Sequence, residues 1–161
     1  MATGWSSVPR LEQVPSLEET RALPRMVEAR VEPRFIDAMG HMNVAWYVHL
    51  FDQATWAFFD VLGIDQEYRR RAQTGMFAVE QHVRYLGELR EGDPLEIHSR
   101  LLELKPRALI LAHVMTDPTR GRVAAVTEVV GVHVDLRTRK AAPFPQELFA
   151  SMSARLAPSH P

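Results

Sequence analysis

Residues 44–62, "VAWYVHLFDQATWAFFDVL", decide how the rest of the chain is read. Tyr47, Phe51, Ala54, Phe58 and Leu62 recur at the spacing of one helix face. Trp46, Leu50, Trp56, Ala57 and Val61 cover much of the remaining circumference, and polar positions are confined to His49, Asp52, Gln53, Thr55 and Asp60. A helix apolar on nearly all sides is a buried one. Gly63 stands where a left-handed cap would end it. The rest of the chain is therefore expected to wrap this helix.

The wrapper is legible as strands. "MFAVEQHVRYLG" (76–87) alternates, with Phe77, Val79, Val83 and Tyr85 on one face and Glu80, His82 and Arg84 on the other. "EGDP" (91–94) is a turn signal, and "LEIHSRLLE" (95–103) alternates again. "ALILAHVMT" (108–116) is a further strand, "DPTRGR" (117–122) its turn, and "VAAVTEVVGVHVDL" (123–136) a long valine-rich strand with a bulge expected at Gly131. Upstream of the helix, "RMVEARVEP" (25–33) is a short strand that Pro33 ends; downstream, "PQELFASMSARL" (145–156) is a surface helix. One strand, one long helix and four strands joined by hairpin-like turns make an α+β fold, an antiparallel sheet curled around a single helix. One sheet on one helix leaves strand edges and an open helix side to be protected. A homo-oligomer, dimer or tetramer, is the expected remedy. Residues 1–24, with Pro9, Pro15 and Pro24, read as an extension over the surface with Trp5 its candidate anchor. Residues 25–156 form a single domain, and 157–161 a tail.

At 161 residues the chain supports one core. With 46% apolar and 24% charged residues it has the balance of a soluble globular protein. A net charge of −1 offers no field for nucleic acid or an anionic membrane surface, so neither is an expected partner. Cysteine is absent, which removes disulfides, thiolate metal sites and cysteine nucleophiles together. No apolar stretch approaches the roughly 20 residues of a membrane span, and the expected location is cytoplasmic. The seven histidines lack the spacing of a helical metal pair, so no metal site is expected. Neither a "GxSxG" elbow nor a "GxxxxGK" phosphate loop is present.

The segment leading into the helix, "RFIDAMGHMNVAWY" (34–47), carries more polar groups than a cap requires. One short polar residue suffices to cap free amides, yet Asp37, Gly40, His41 and Asn43 fall within seven positions. Asp37, then "GH" (40–41), Asn43 and Tyr47 before a buried helix, followed by antiparallel strands, resembles the hotdog-fold acyl-CoA thioesterases. The likeness is to their 4-hydroxybenzoyl-CoA thioesterase-like branch and covers roughly residues 27–145. "FDQAT" (51–55), "LG" (62–63) and "AAPFP" (141–145) are similar to thioesterases found beside, or fused to, carnitine dehydrogenases and thought to act on betainyl-CoA-like thioesters.

The resemblance implies that Asp37 is the catalytic carboxylate, as nucleophile or as general base for water. It implies that an amide at the helix start, at or beside Val44, polarises the thioester carbonyl. Coenzyme A then enters as part of the substrate, with no separate cofactor, and carnitine dehydrogenase is a functional neighbour. The chain departs from the branch at two places: Phe35 stands where a second Asp is common, and Asn43–Val44 where two asparagines are common.

Thioester hydrolysis needs a carboxylate beside the carbonyl carbon and a donor for the developing oxyanion. Asp37 supplies the first, and free amides at a helix N-terminus the second, reinforced by the helix dipole. Gly40 lets the turn bend tightly and brings backbone close to the ligand. His41 either orients substrate or water or holds the turn; Asn43 is a cap or a substrate contact; Tyr47 is core or site. Glu80 is a second acid presented to a partner's site, or a solvated strand residue. Arg69, Arg70 and Arg71 meet coenzyme A phosphates or form a solvated helix end. Trp46, Trp56 and Tyr85 are available to hold a quaternary ammonium group. Two other functions stay open. One is a hotdog hydratase or dehydratase, which commonly shows Asp followed by "NPxH" where this chain has "AMG" between Asp37 and His41. The other is a non-catalytic acyl-CoA-binding module.

Overall fold

The computed structural model describes residues 13–156; Trp5, Pro9 and the 157–161 tail lie outside the described residues. The long helix, α2 (Val44–Leu62), has the bounds its sequence implies. The Asn43 side chain accepts a hydrogen bond from the Ala45 N–H at the start, and Gly63, at φ 85°, closes the end in the left-handed region. Before it come a short helix α1 (Leu17–Arg21), strand β1 (Arg25–Arg30) and a 3₁₀ turn over Pro33–Phe35. Pro33 thus opens that turn instead of ending a strand, because its fixed φ suits a first helical position. The described end of the N-terminal extension is tied to the sheet, with the Leu23 carbonyl against His98 Nδ1 and the Pro24 carbonyl accepting from Ser99 N–H.

After α2 come α3 (Gln66–Ala72) and the strands β2 (Thr74–Tyr85), β3 (Pro94–Lys105), β4 (Ala108–Asp117), β5 (Arg122–Asp135) and β6 (Lys140–Ala141), then α4 (Gln146–Ser153). The sheet is antiparallel in the order β1-β3-β4-β5-β2, with β6 added on β5. β2 and β3 are therefore not a hairpin: β2 crosses to the far edge and pairs with β5.

Two details of register correct the sequence reading. The bulge lies in β2, between Ala78 and Glu80, while Gly131 opposite it keeps regular pairing with Ala78 and Leu109. A Cβ at Gly131 would meet the Met76 Cε at 3.0 Å, so a side chain there requires the methionine end to shift. The extra residue also breaks the alternation of β2. Phe77 pairs with Val132 and Val83 with Thr127, an odd separation on β5, so the two face opposite sides of the sheet.

α2 lies across the concave face. Tyr47, Leu50, Phe51 and Ala54 pack with Phe35, Met42, Leu95 and Ile97. Phe58 and Leu62 pack with Ile64, Leu101, Leu109, Leu111 and Met152 of α4. Between these clusters a buried polar link joins helix and sheet: Thr55 Oγ1 is 2.9 Å from His113 Nε2, and Ser99 Oγ is 2.7 Å from His113 Nδ1. The wrapping expected of the sheet is nevertheless one-sided. Val44, Val48, Asp52 and Trp56 form an exposed stripe along α2, with Val44 55% and Trp56 45% exposed. Beside it the outer edge of β2 is unpaired, and Val79 in its bulge is 59% exposed. A single sheet can cover only one side of a helix, so the second apolar side stays bare. Among the described residues no helix is long and apolar enough to cross a membrane.

Candidate active site

Asp37 opens a tight turn. Its backbone N–H donates to the His41 carbonyl at 3.1 Å, its carbonyl accepts from Gly40 N–H at 3.0 Å, and Ile36 bridges to Met42. The reversal requires a left-handed residue, and Gly40 adopts φ 82° there. Two further bonds fix the turn against its surroundings: Met42 N–H donates to the Leu89 carbonyl at 2.7 Å, and Asn43 N–H to the Phe35 carbonyl at 2.9 Å.

The half-buried Asp37 carboxylate is held from both ends. Oδ1 accepts from the Met39 N–H at 2.8 Å and Oδ2 from the Asn43 side-chain amide at 3.2 Å. The other end of that same amide, Asn43 Oδ1, accepts from the Ala45 N–H at 2.9 Å. Asn43 therefore bolts the carboxylate to the first turn of α2. Asn43 is thus a cap, and the same side chain holds the Asp37 carboxylate.

The amides of that first turn are unequally used. Ala45 N–H is capped by Asn43 Oδ1, and Trp46 N–H donates to the Asn43 carbonyl at 3.0 Å. Val44 N–H has no partner among the described residues, and Val44 is exposed. A free donor thus sits at the positive end of the helix, next in sequence to the residue that holds the carboxylate.

The other candidates divide. His41 stays in the turn, with Nδ1 3.4 Å from the Met42 carbonyl, too long for a firm bond. The Glu88 carboxyl lies below the usual range, mainly through the hydrogen bond from the Arg90 guanidinium. Tyr47 is core: its ring is buried, its hydroxyl donates to the Gly87 carbonyl at 3.3 Å, and burial pushes its pKa up. Glu80 stands mid-strand on the sheet face turned away from α2, on the same side as His82 and Glu128. The single chain does not bring it to Asp37. Segment 86–89, which receives Met42 and flanks His41, carried no signal in the sequence; it looked like a strand end. Of the three arginines, Arg69 stacks 4.9 Å over the Trp56 ring and bonds the Ile64 carbonyl, and Arg70 pairs with Glu67. Arg34 likewise lies over Trp46 at 5.2 Å. Both indoles thus already carry a cation, whereas Tyr85 is exposed, edge-on to Tyr47. Among the described residues no cluster of His, Asp or Glu could hold a metal ion.

Residues 31–152, which include this whole site, match the model of the thioesterase-like superfamily. The chain is 32% identical over 133 residues to the betainyl-CoA thioesterase of Pseudomonas aeruginosa, covering 83% of each. It is 30% identical over 128 residues to the L-carnitine dehydrogenase/betainyl-CoA thioesterase of Rhizobium meliloti, covering 80% of this chain and 26% of that protein. The chain thus spans about a quarter of that longer relative. In structure it is similar to a Staphylococcus aureus protein solved in complex with CoA, with a TM-score of 0.76 at 24% identity, covering 86% of this chain and 89% of the other. The architecture is the hotdog fold that the resemblance implied.

Proposed function

The chain belongs to the thioesterase-like superfamily, and from that premise we propose that it hydrolyses an acyl-CoA thioester at Asp37. One observation carries the reading: Asn43 ties the Asp37 carboxylate to the first turn of α2, whose Val44 N–H has no partner among the described residues. The thioester oxygen sits on the Val44 N–H, where charge builds as the carbonyl becomes tetrahedral. Asp37 faces the carbonyl carbon. As general base it takes a proton from water as the water attacks; as nucleophile it forms an anhydride that water then opens. In either course the electron pair of the broken C–S bond leaves with coenzyme A as thiolate.

The acyl group we assign is small and carries a quaternary ammonium, as in betainyl-CoA, on the strength of the relatives' activity. The fused relatives support a functional link to carnitine dehydrogenase. The working form is a homo-oligomer, in which the bare α2 stripe and the open β2 edge are covered by a second copy. The place of action is the cytoplasm.

The test is release of free thiol from a panel of short, long, aromatic and betainyl acyl-CoAs, with wild type and Asp37→Asn in parallel. The expected loss on the best substrate is about a hundredfold or more. Coenzyme A binding without turnover of any member would refute the hydrolase and leave a binding module. In single-turnover hydrolysis in heavy-oxygen water, label found in Asp37 marks the nucleophilic course with water opening the anhydride at the aspartyl carbon.

A further inference from the structure

Between β2 and β3, residues 86–89 run beside the turn that carries Asp37, and three successive carbonyls there each accept a hydrogen bond. The Gly87 carbonyl accepts from the Tyr47 hydroxyl at 3.3 Å, and the Leu89 carbonyl from the Met42 N–H at 2.7 Å. The Glu88 carbonyl between them accepts from Arg122 Nη2 at 2.8 Å. Met42 and Tyr47 bracket Asn43 and Val44, so two of the three donors belong to the site itself. The third, Arg122, is the first residue of β5.

Arg122 is braced by Asp117, the buried last residue of β4. That acid already has a cation. Arg120 reaches Asp117 Oδ2 with its guanidinium at 2.8 Å, and Oδ1 with its backbone N–H at 3.1 Å. Arg122 Nε stands farther from the same Oδ2, at 3.3 Å, while its shorter contact is the one to Glu88. The acid thus aims the guanidinium, and the guanidinium holds the carbonyl. A planar fork spans the two acceptors at once, which the single nitrogen of a lysine does not. Gly87 leaves room for it: a Cβ there would lie 2.8 Å from Arg122 Cζ and 2.9 Å from Nη1.

We propose that Arg122 is a positioning residue for the hydrolysis: it fixes segment 86–89, whose Leu89 carbonyl holds Met42 and with it the turn that carries Asp37. This rests on the acyl-CoA reading above and adds the group that keeps carboxylate and helix start in place. Loss of Arg122 leaves the chain folded, because Asp117 keeps Arg120 and the segment keeps two other ties. Its Leu86 and Gly87 amides donate to the Ala124 carbonyl at 2.8 and 3.0 Å, and the Leu89 side chain is buried in the core. What is lost is the hold on the carbonyl next to the one that Met42 uses.

The experiment measures thiol release from the best acyl-CoA of the panel and residue-resolved hydrogen exchange, on wild type, Arg122→Gln, Arg122→Lys, Gly87→Ala and the Gly87→Ala/Arg122→Gln double variant. Arg122→Gln is expected to lower kcat about tenfold with KM within about twofold, since a misplacement of about 1 Å costs up to about 10²-fold. Exchange of the Met42 amide is expected to quicken about tenfold relative to the amides of β4, a local opening that a general loss of stability does not produce. Arg122→Lys is expected to restore neither. Gly87→Ala pushes the guanidinium aside and is expected to lower kcat alone, yet to add nothing once Arg122 is gone. A folded Arg122→Gln with kcat within about twofold of wild type overturns the proposal while the hydrolase stands. So does a loss of kcat with Met42 exchange unchanged, and so does full rescue by lysine, which makes charge alone responsible. Additive losses in the double variant overturn it too. Wild type that hydrolyses no thioester refutes the hydrolase reading and this role with it.

Discussion

Val44→Pro deletes one hydrogen-bond donor and almost nothing else. Proline is favoured at the first helical position, where the missing N–H has no helical partner to lose. It demands an extended residue before it, and Asn43 already stands at φ −66° and ψ 144°. The Val44 side chain is more than half exposed, so its replacement costs under about 1 kcal/mol of packing. Asn43 keeps its bonds to Ala45 and Asp37, since neither involves the Val44 nitrogen. What disappears is the proposed donor to the developing oxyanion, a contact worth about 2.7–4 kcal/mol in comparable sites, or about 10²–10³ in kcat. The assay is thiol release at saturating substrate, with a circular-dichroism melt to show that the helix is intact. A folded variant whose kcat stays within about fivefold of wild type would refute the assignment of Val44. The oxyanion would then lie against another donor.

Three further outcomes follow from the same structure. Asn43→Ser keeps a good cap and removes the amide that holds Asp37 Oδ2; kcat is expected to fall about tenfold or more while the melting temperature barely moves, and a matched loss of both would mean the two duties cannot be separated. Burial holds the His113 imidazole at about 3, well below its usual 6.5, and lowers His133 as well. The unfolded chain therefore takes up protons that the folded chain refuses, so this stability is complete above about pH 6.5 and is lost as the pH falls toward 3; at about pH 5 His113 alone removes about 2 kcal/mol, and a urea midpoint that stays flat between about pH 7.5 and 5 would contradict it. Gly63→Ala forces a side chain into φ 85° with its Cβ 3.2 Å from Leu148 Cδ1, and is expected to cost about 1–2 kcal/mol in chemical denaturation; no loss would show that α4 yields at Leu148.

The sequence carried the helix, its caps and the strands because their signals are local. Periodicity marks a face, and Asn43 and Gly63 mark its ends. It could not show that β2 pairs with β5, since alternation is the same whichever neighbour a strand takes. Nor could it locate the bulge. Gly131 drew attention as the residue that permits irregularity, yet it pairs regularly beside Met76 and Leu109, while the extra residue, Val79, looks like any strand valine. The site was half legible. Asp37, Gly40 and Asn43 stood out as a surplus of polar groups before an apolar run. The role of Leu89 was hidden because it lends only its carbonyl, which any residue could have supplied. Glu80 was an acid in plain view. That it stands on the sheet face turned away from α2 depends on the bulge at Val79, which spacing alone does not show.

The bulge in β2 has a meaning for self-recognition. An edge strand that offers regular, unpaired backbone will accept almost any extended segment, and charges such as Glu80 are a general deterrent. An irregular edge is more discriminating. The inserted Val79 breaks the even rhythm of donors and acceptors at mid-strand, so a straight intruder can match one half of β2 or the other but not both. Another copy, turned end for end, carries the same irregularity at the corresponding place. In the homo-oligomer proposed above, the feature that spoiled the alternation in the sequence works as a password that the chain shares with its own kind.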